Sequence, residues 1–287
     1  MTVKVAITAA SGQLGSEIVK ATVALVSKEN VIALARTPDN AKHLGVEVRG
    51  GDYDNPSQLE ASLQSVDVLL LLSGNGAPDG RIGQHRNVIE AAKRAGVKKI
   101  VYTSVQGAEE DTAFSPIIQS NRQTEQDVRE SGLAWSIGRN GIYMEPDVEY
   151  IEGYKKAGGI ANCAGEGKCG YTTRPELAYA YAKMLTEDAH NGQTYNLHGE
   201  ALTQYQVAAY LNSAFGTKLA YTPMTVDAYR QDRIAELGDF IGTVIAGIYE
   251  GISNGKADNP SHFEAAAGRP HQGWKAYFDA LKTQQTR

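Results

Sequence analysis

A doubly wound parallel α/β sheet with a smaller, mostly helical C-terminal lobe is predicted by three observations. Apolar strand-like runs alternate with helix-length runs over the first half of the 287 residues, the rhythm of βαβ units and a parallel sheet. The first strand runs straight into a turn of small residues, Thr8-Ala-Ala-Ser-Gly-Gln-Leu-Gly, from which a helix starts. Beyond Tyr143 the rhythm stops, while helical patterns continue towards the end of the chain. Together these divide the chain into a Rossmann half, 1–145, and a smaller lobe, 146–287, that returns some elements to the sheet.

The strand-like runs are Val3–Thr8, Val31–Ala35, Val46–Arg49, Val66–Leu72, Lys99–Thr103 and Ala134–Gly138. The helical runs between them are Leu14–Val26, Ser57–Leu63, Ile82–Ala95 and Ile117–Ser131. Val66–Leu72 and Lys99–Val105 are almost unbroken apolar stretches, which suits strands buried on both faces. Gly96 sits where a helix C-terminus takes a left-handed residue. Glu145-Pro-Asp begins a helix, and Gly158-Gly and Ala164-Gly-Glu-Gly mark loops around a short hairpin-like region. Pro175 opens a helix to Leu185, with Thr172, Thr173 and Glu176 as capping candidates. Thr194–Leu197 reads as one more strand, Gln204–Phe215 as an amphipathic helix, and the chain from Thr225 as mostly helical.

The small-residue turn carries the chemistry of the first half. A helix N-terminus leaves backbone N–H groups unpaired and carries partial positive charge, so a strand aimed at it builds a phosphate cradle. Residues Ala10, Ser11, Gly12, Gln13 and Leu14 form that cradle, with Gly12 allowing close approach of a pyrophosphate and Gly15 close packing of helix on strand. Ala9 stands in the first glycine place and serves there provided no positive φ is needed. Arg36 ends the second strand, and no Asp or Glu lies between Asn30 and Pro38. An acid there would bind the ribose of NAD, whereas arginine suits a 2′-phosphate, so the expected cofactor is NADPH. Lys42 could add charge. The plainer reading of Arg36 is a solvated strand-end residue.

Ligands of an open parallel sheet bind outside the carboxyl ends of its strands. Asp52 (towards the adenine amine), Ser73, Gly74 and Asn75 (along ribose and pyrophosphate) and Thr103 with Ser104 are therefore candidates, as is the run Arg139-Asn140-Gly141-Ile142-Tyr143. Asp, Ser, Asn and Gly are also ordinary turn formers. Tyr143 is the candidate contact for an electron acceptor, by stacking or through its hydroxyl; packing against the cofactor is its other reading. His85 reads as a structural residue opening a helix.

Composition excludes several classes. A net charge of −5 without a basic run argues against nucleic acid as a partner. The longest apolar run is too short to span a bilayer. No signal-peptide pattern precedes the first strand, so a cytoplasmic location is expected. Cys163 and Cys169, with His190 and His198 far along the chain, make no recognisable metal site, and free thiols are expected. A homodimer is compatible with the sequence.

Thr8-Ala-Ala-Ser-Gly-Gln-Leu-Gly, Gly51-Asp-Tyr, the run from Gln84 to Lys98, Tyr102-Thr-Ser, Arg139-Asn-Gly-Ile-Tyr, Gly165-Glu-Gly-Lys and Thr173-Arg174 resemble the NmrA-like atypical short-chain dehydrogenases/reductases. The likeness is to the bacterial quinone-reducing and triphenylmethane-reducing members, and it runs over nearly the whole chain, more loosely after about residue 225. It implies NADPH in the crevice, with Arg174 among the cofactor residues, and hydride transfer to a quinone or similar conjugated acceptor. Two positions depart from the family pattern. Ala9 replaces the usual glycine, and Asn121 with Glu125 stand where relatives tend to carry a His and a Glu.

An ordinary short-chain dehydrogenase needs a Ser and a Tyr-x-x-x-Lys on the helix after the fifth strand, the Tyr donating a proton to the substrate oxygen. Ser104 occupies the serine place, but Ile117–Ser131 holds neither Tyr nor Lys. The chain's one Tyr-x-x-x-Lys, Tyr179 to Lys183, lies in the later apolar helix and reads as a coincidence of packing. Hydride transfer without that triad is the expected chemistry, since a conjugated acceptor spreads the incoming charge and catalysis becomes mostly positioning. The alternative function is an NADP(H)-binding redox sensor of the NmrA type without turnover.

Overall fold

The computed structural model describes residues 3–74 and 76–285. The first half alternates strand and helix: β1 (Val5–Ile7), α1 (Gln13–Leu25), β2 (Val31–Ala35), β3 (Glu47–Gly50), α2 (Pro56–Ser62), β4 (Val68–Leu72), α3 (Pro78–Arg94), β5 (Lys99–Val105), α4 (Ser115–Arg129) and β6 (Ala134–Asn140). Then follow β7 (Ile142–Tyr143), α5 (Glu145–Glu149), α6 (Ile151–Ala157), β8 (Gly159–Asn162), β9 (Cys169–Thr172) and α7 (Arg174–Thr186). The remainder is β10 (Gln193–Leu197), β11 (Ala201–Leu202), α8 (Gln204–Phe215), β12 (Ala220–Pro223), α9 (Val226–Leu237), α10 (Asp239–Ser253), α11 (Phe263–Ala267) and α12 (Trp274–Gln285).

Seven strands form one parallel sheet in the order β10-β6-β5-β4-β1-β2-β3. The order reverses between β1 and β4, and a crevice opens there at the carboxyl ends of the strands. Alternate side chains feed opposite layers. Val5 and Ile7 join Ile18, Leu177 and Met184 from α1 and α7 on one face. Ala6, Ile32 and Leu34 join Leu59, Val88 and Val128 from α2, α3 and α4 on the other. Burial on both faces is why these strands read as continuous apolar runs rather than alternating ones. A third cluster (Met144, Ile160, Tyr171, Leu211, Trp274 and Phe278 among it) is the core of the smaller lobe.

Three expectations change. The hairpin-like region is not a hairpin: β8 pairs in parallel with β12, while β9 pairs with β7 and β11. Its strands find partners distant in sequence, which local turn signals cannot reveal. The third helix begins at Pro78 rather than Ile82, because Pro78 fits the first helical turn and Asp79 complements its dipole; Gly80 and Gly83 disguise the turn as a loop. His85 therefore lies two turns inside α3 instead of opening it, and it is fully buried. Gly96 takes φ +78°, as expected beyond a helix end. No described helix is long and apolar enough to cross a membrane.

Candidate active site

Between the sheet's carboxyl ends and the smaller lobe lies a cleft of about 1150 Å³. One end is floored by the loop after β1 and the first turn of α1: Ala9, Gly12, Gln13, Leu14 and Gly15. Gly12 is the N-cap and offers no side-chain cap, and the first turn of α1 holds no acid, so its N–H groups are left for a ligand. A Cβ on Gly15 would lie 2.3 Å from the Ala9 carbonyl oxygen, so only glycine lets the loop fold over the helix. Ala9 itself takes φ +47°, so the proviso attached to it fails: the residue does need a left-handed conformation and adopts it despite its methyl.

The strand ends supply the middle of the cleft. Ser73, Gly74, Thr103, Ser104, Asn140, Gly141, Ile142, Tyr143 and Arg174 all line it. The Ser73 N–H donates to Thr103 Oγ1 (2.8 Å) and the Gly74 N–H to His85 Nε2 (3.1 Å), so the β4 exit is tied to its neighbours. His85 Nδ1 meets Thr124 Oγ1 at 2.9 Å, and burial pushes the imidazole down to about 3. A neutral, fully engaged histidine at this place is a structural post. Four candidates do not line the cleft. Ala10 is buried with its N–H on the Leu34 carbonyl. Ser11 and Arg36 are exposed at the rim of the sheet, and Arg36 makes no hydrogen bond or ion pair among the described residues. Asp52 accepts from the Asp54 N–H in a turn (3.1 Å). Asn75 lies outside the described residues. Lys42 pairs with Asp39 at 2.6 Å on the surface.

Tyr143, Asn140 and Tyr181 are linked by hydrogen bonds, and the Tyr181 hydroxyl also stands 2.9 Å from the Gly138 carbonyl. The Tyr181 hydroxyl donates to Asn140 Oδ1 (2.6 Å), which turns Asn140 Nδ2 to donate to the Tyr143 oxygen (3.2 Å). The Tyr143 hydrogen is thereby left for the cleft. A Cβ at position 138 would fall 2.3 Å from the Tyr181 hydroxyl, so Gly138 is what admits this group to the strand. The Arg174 guanidinium lies over the Tyr143 ring, 5.7 Å from its centroid. Burial raises the Tyr143 pKa above the ordinary phenol value.

Ser104 donates to Glu125 Oε1 (2.7 Å). Glu125 is fully buried; burial alone would raise its pKa, but Arg139, Arg122 and Ser104 outweigh it and hold the carboxyl below its usual range. Arg139 grips it with two bonds, at 2.8 and 2.7 Å. Asn121 accepts from Ser73 (3.1 Å) and Tyr102 (2.7 Å). Asn121 and Glu125 thus anchor the strand ends. Tyr179 does not line the cleft: it packs against the α1–α7 core with the Arg269 guanidinium 4.3 Å above its ring, and Lys183 pairs with Glu187. Cys163 and Cys169 are free and buried. No group of acids, histidines or cysteines able to hold a metal occurs among the described residues.

Several cleft residues escaped the sequence reading. Arg81, 6% exposed, reaches the cleft with its Nε buried and unpartnered among the described residues. Such an orphaned cationic donor in the same cleft as an uncapped helix N-terminus fits an anionic dinucleotide. Its signal was present in Pro78, which places Arg81 in the first turns of α3. The far end of the cleft is built from Phe114, Asp147, Tyr154, Tyr229, Ile245 and Tyr249. Asp147 and Tyr154, on the successive helices α5 and α6, are joined by a hydrogen bond of 2.6 Å.

The NAD(P)H-binding family model matches residues 9–188. Quinone oxidoreductase 2 of Escherichia coli is 37% identical over 221 residues, 76% of each chain. The structure of that enzyme complexed with NADPH superposes with a TM-score of 0.89 over 96% of this chain and 99% of that one. Triphenylmethane reductase of Citrobacter sp. gives 0.89 at 32% identity over 98% and 99%. An NmrA-like family domain-containing oxidoreductase from Aspergillus flavus is 28% identical over 87% of this chain and 85% of its own. With the parallel sheet, the glycine loop and the cleft at the strand ends, these likenesses place the chain in the NAD(P)H-binding family, with an NmrA-like oxidoreductase among its homologues.

Proposed function

We propose that this protein is an NADPH-dependent reductase that passes hydride to a quinone or similar conjugated acceptor, without a Ser-Tyr-Lys triad. The observation that carries the reading is the single cleft running from the uncapped α1 N-terminus to an aromatic wall in the smaller lobe. Residues 1–145 would bind the cofactor and 146–287 shape the acceptor site. Gly12 to Leu14 and Arg81 would hold the pyrophosphate, Ser73, Gly74 and Thr103 the ribose side, and Asn140 to Ile142 the nicotinamide end. Arg36 and Asp52, outside the cleft walls, would meet the adenine ribose phosphate and the adenine edge at its open rim.

NADPH, when bound, would supply the hydride for a flat conjugated acceptor. Tyr143 aims its hydroxyl hydrogen into the cleft and would steady the acceptor oxygen as negative charge develops there. Asn140 and Tyr181 keep that hydrogen pointed outward. Ser104 is engaged by Glu125, and α4 offers neither Tyr nor Lys beside it, which supports triad-free chemistry that rests on orientation. Related proteins are named for quinone reduction and for reduction of triphenylmethane and azo dyes, which supports this acceptor class.

The test is NADPH oxidation followed at its near-ultraviolet absorbance against quinones, triphenylmethane dyes and azo dyes, with Tyr143→Ala alongside. Tyr143→Ala is expected to raise the acceptor KM or lower kcat while NADPH affinity stays within a few-fold. Equal losses of NADPH affinity and turnover would make Tyr143 a cofactor-packing residue. Tight NADPH binding with no acceptor reduced would replace the reductase by a redox sensor.

A further inference from the structure

The buried acids of this protein divide into two kinds. Glu125 faces arginines from α4 and β6, and Glu176 is gripped by Arg269 at 2.7 and 2.8 Å. Asp147 on α5 is as deeply placed, 6% exposed, and lines the cleft, yet no cation reaches it among the described residues. Its one hydrogen-bond partner is the Tyr154 hydroxyl, which donates to Oδ1 at 2.6 Å. The titratable groups facing it from the surrounding elements are Tyr154 on α6, Cys169 and Tyr171 on β9, Tyr229 on α9 and Tyr249 on α10. All five are pushed above their ordinary values by burial and by Asp147 itself, so all stay neutral around neutral pH. A carboxyl in such surroundings favours its neutral, proton-carrying form.

We propose that Asp147, oriented by Tyr154, delivers the proton that completes reduction of the acceptor. The inference rests on the reductase reading above. An acceptor quinone that has gained hydride, one hydrogen with two electrons, is a monoanion one proton short of its hydroquinone. The O–H bond of the Asp147 carboxyl breaks as an O–H bond forms on the acceptor oxygen. A carboxylate is left, and water takes over its reprotonation once the product departs. Tyr154 keeps Oδ1 occupied, so the proton resides on Oδ2, and its hydroxyl then supports the new negative charge. Tyr143 has the different task of donating a hydrogen bond without parting with its proton, as its own raised pKa requires. Asp147, held near 6 by burial, is matched to proton transfer close to neutrality.

The test uses the full chain with NADPH and 1,4-naphthoquinone between pH 5 and pH 8.5. For the parent protein, kcat is expected to fall as pH rises through about 6, the value to which burial raises Asp147. Asp147→Asn is expected to lose ~100-fold or more in kcat and to show no such limb, with NADPH affinity unchanged. Tyr154→Phe removes the donor that favours the carboxylate, so the limb should move to higher pH. Infrared titration of the free protein, parent minus Asp147→Asn, should show a protonated carboxyl band disappearing near the same pH. Asp147→Asn with parental kcat and an intact limb overturns the inference, as does a carboxyl that ionises in the ordinary range. If the parent reduces no acceptor, the reductase reading fails and this step falls with it; if the parent turns over and the variant matches it, this step alone fails.

Discussion

Asp147→Asn should make the protein more stable, and only above a defined pH. In the fold the carboxyl sits near 6, against an ordinary 3.8, because burial disfavours its charge. Ionising it in place therefore costs the folded state about 3 kcal/mol more than ionising it in the unfolded chain. The direction follows from proton binding. Between pH 4 and pH 6 the folded protein holds a proton that the unfolded chain has released, so stability drains away as pH rises through that window. Asparagine keeps the shape and the carbonyl that accepts from Tyr154, but never charges. Variant and parent should thus be nearly equally stable at pH 3, differ by about 1 kcal/mol at pH 4.5, diverge further to about pH 6.5, and differ above it by ~3 kcal/mol in the variant's favour. Guanidinium unfolding at a series of pH values, read by tryptophan fluorescence, measures this directly. A difference that stays flat from pH 4.5 to pH 8, or a variant less stable than the parent at pH 8, would refute the reasoning. A stabilised but crippled variant is the pattern expected where a residue is retained for chemistry at the expense of stability.

Other substitutions test separate parts of the account. Arg36→Ala should weaken NADPH binding about ten-fold or more and leave NADH binding nearly unchanged, as seen in fluorescence titrations; equal affinities of the parent for both cofactors would sink the 2′-phosphate assignment. Tyr179→Phe should leave kcat within about two-fold, since its ring lies beneath Arg269 outside the cleft; a collapse with NADPH binding preserved would locate a proton donor there. Ala9→Gly should raise stability by up to ~1 kcal/mol, because relief of the left-handed φ of +47° exceeds the entropy that glycine adds to the unfolded chain. A lower unfolding midpoint would show that the alanine methyl contributes packing there.

The sheet and the glycine-loop end of the cleft were legible because their signals are local. Apolar runs such as Val68–Leu72, the small-residue turn at Ala9–Gly12 and the Arg139–Tyr143 run sit within a few residues of the structure they specify. What stayed hidden depends on partners far along the chain. β8 is a strand because β12 pairs with it, and β7 because β9 does. Asp147 looks like any acid in a helix start until Tyr171 and Tyr249 close around it. The hydrogen-bonded link that aims the Tyr143 hydrogen needs Tyr181, which sequence shows only as one more apolar-face residue of α7. His85 illustrates the opposite case: its structural role was legible, but its depth was not, since two glycines masked the first turns of its helix.

The placement of β10 has a consequence for how the protein is made. The last strand of the sheet comes from after α7 and caps the outer side of β6. Until residue 197 has left the ribosome, β6 is an edge strand with a row of unpaired N–H and C=O groups, a template for any stray extended segment. A nascent or truncated chain ending at residue 188, where the family match stops, would carry that open edge permanently. Such a fragment should associate or precipitate although it holds every glycine-loop residue. The closing strand acts as a protective cover, and correct assembly waits for a segment made late.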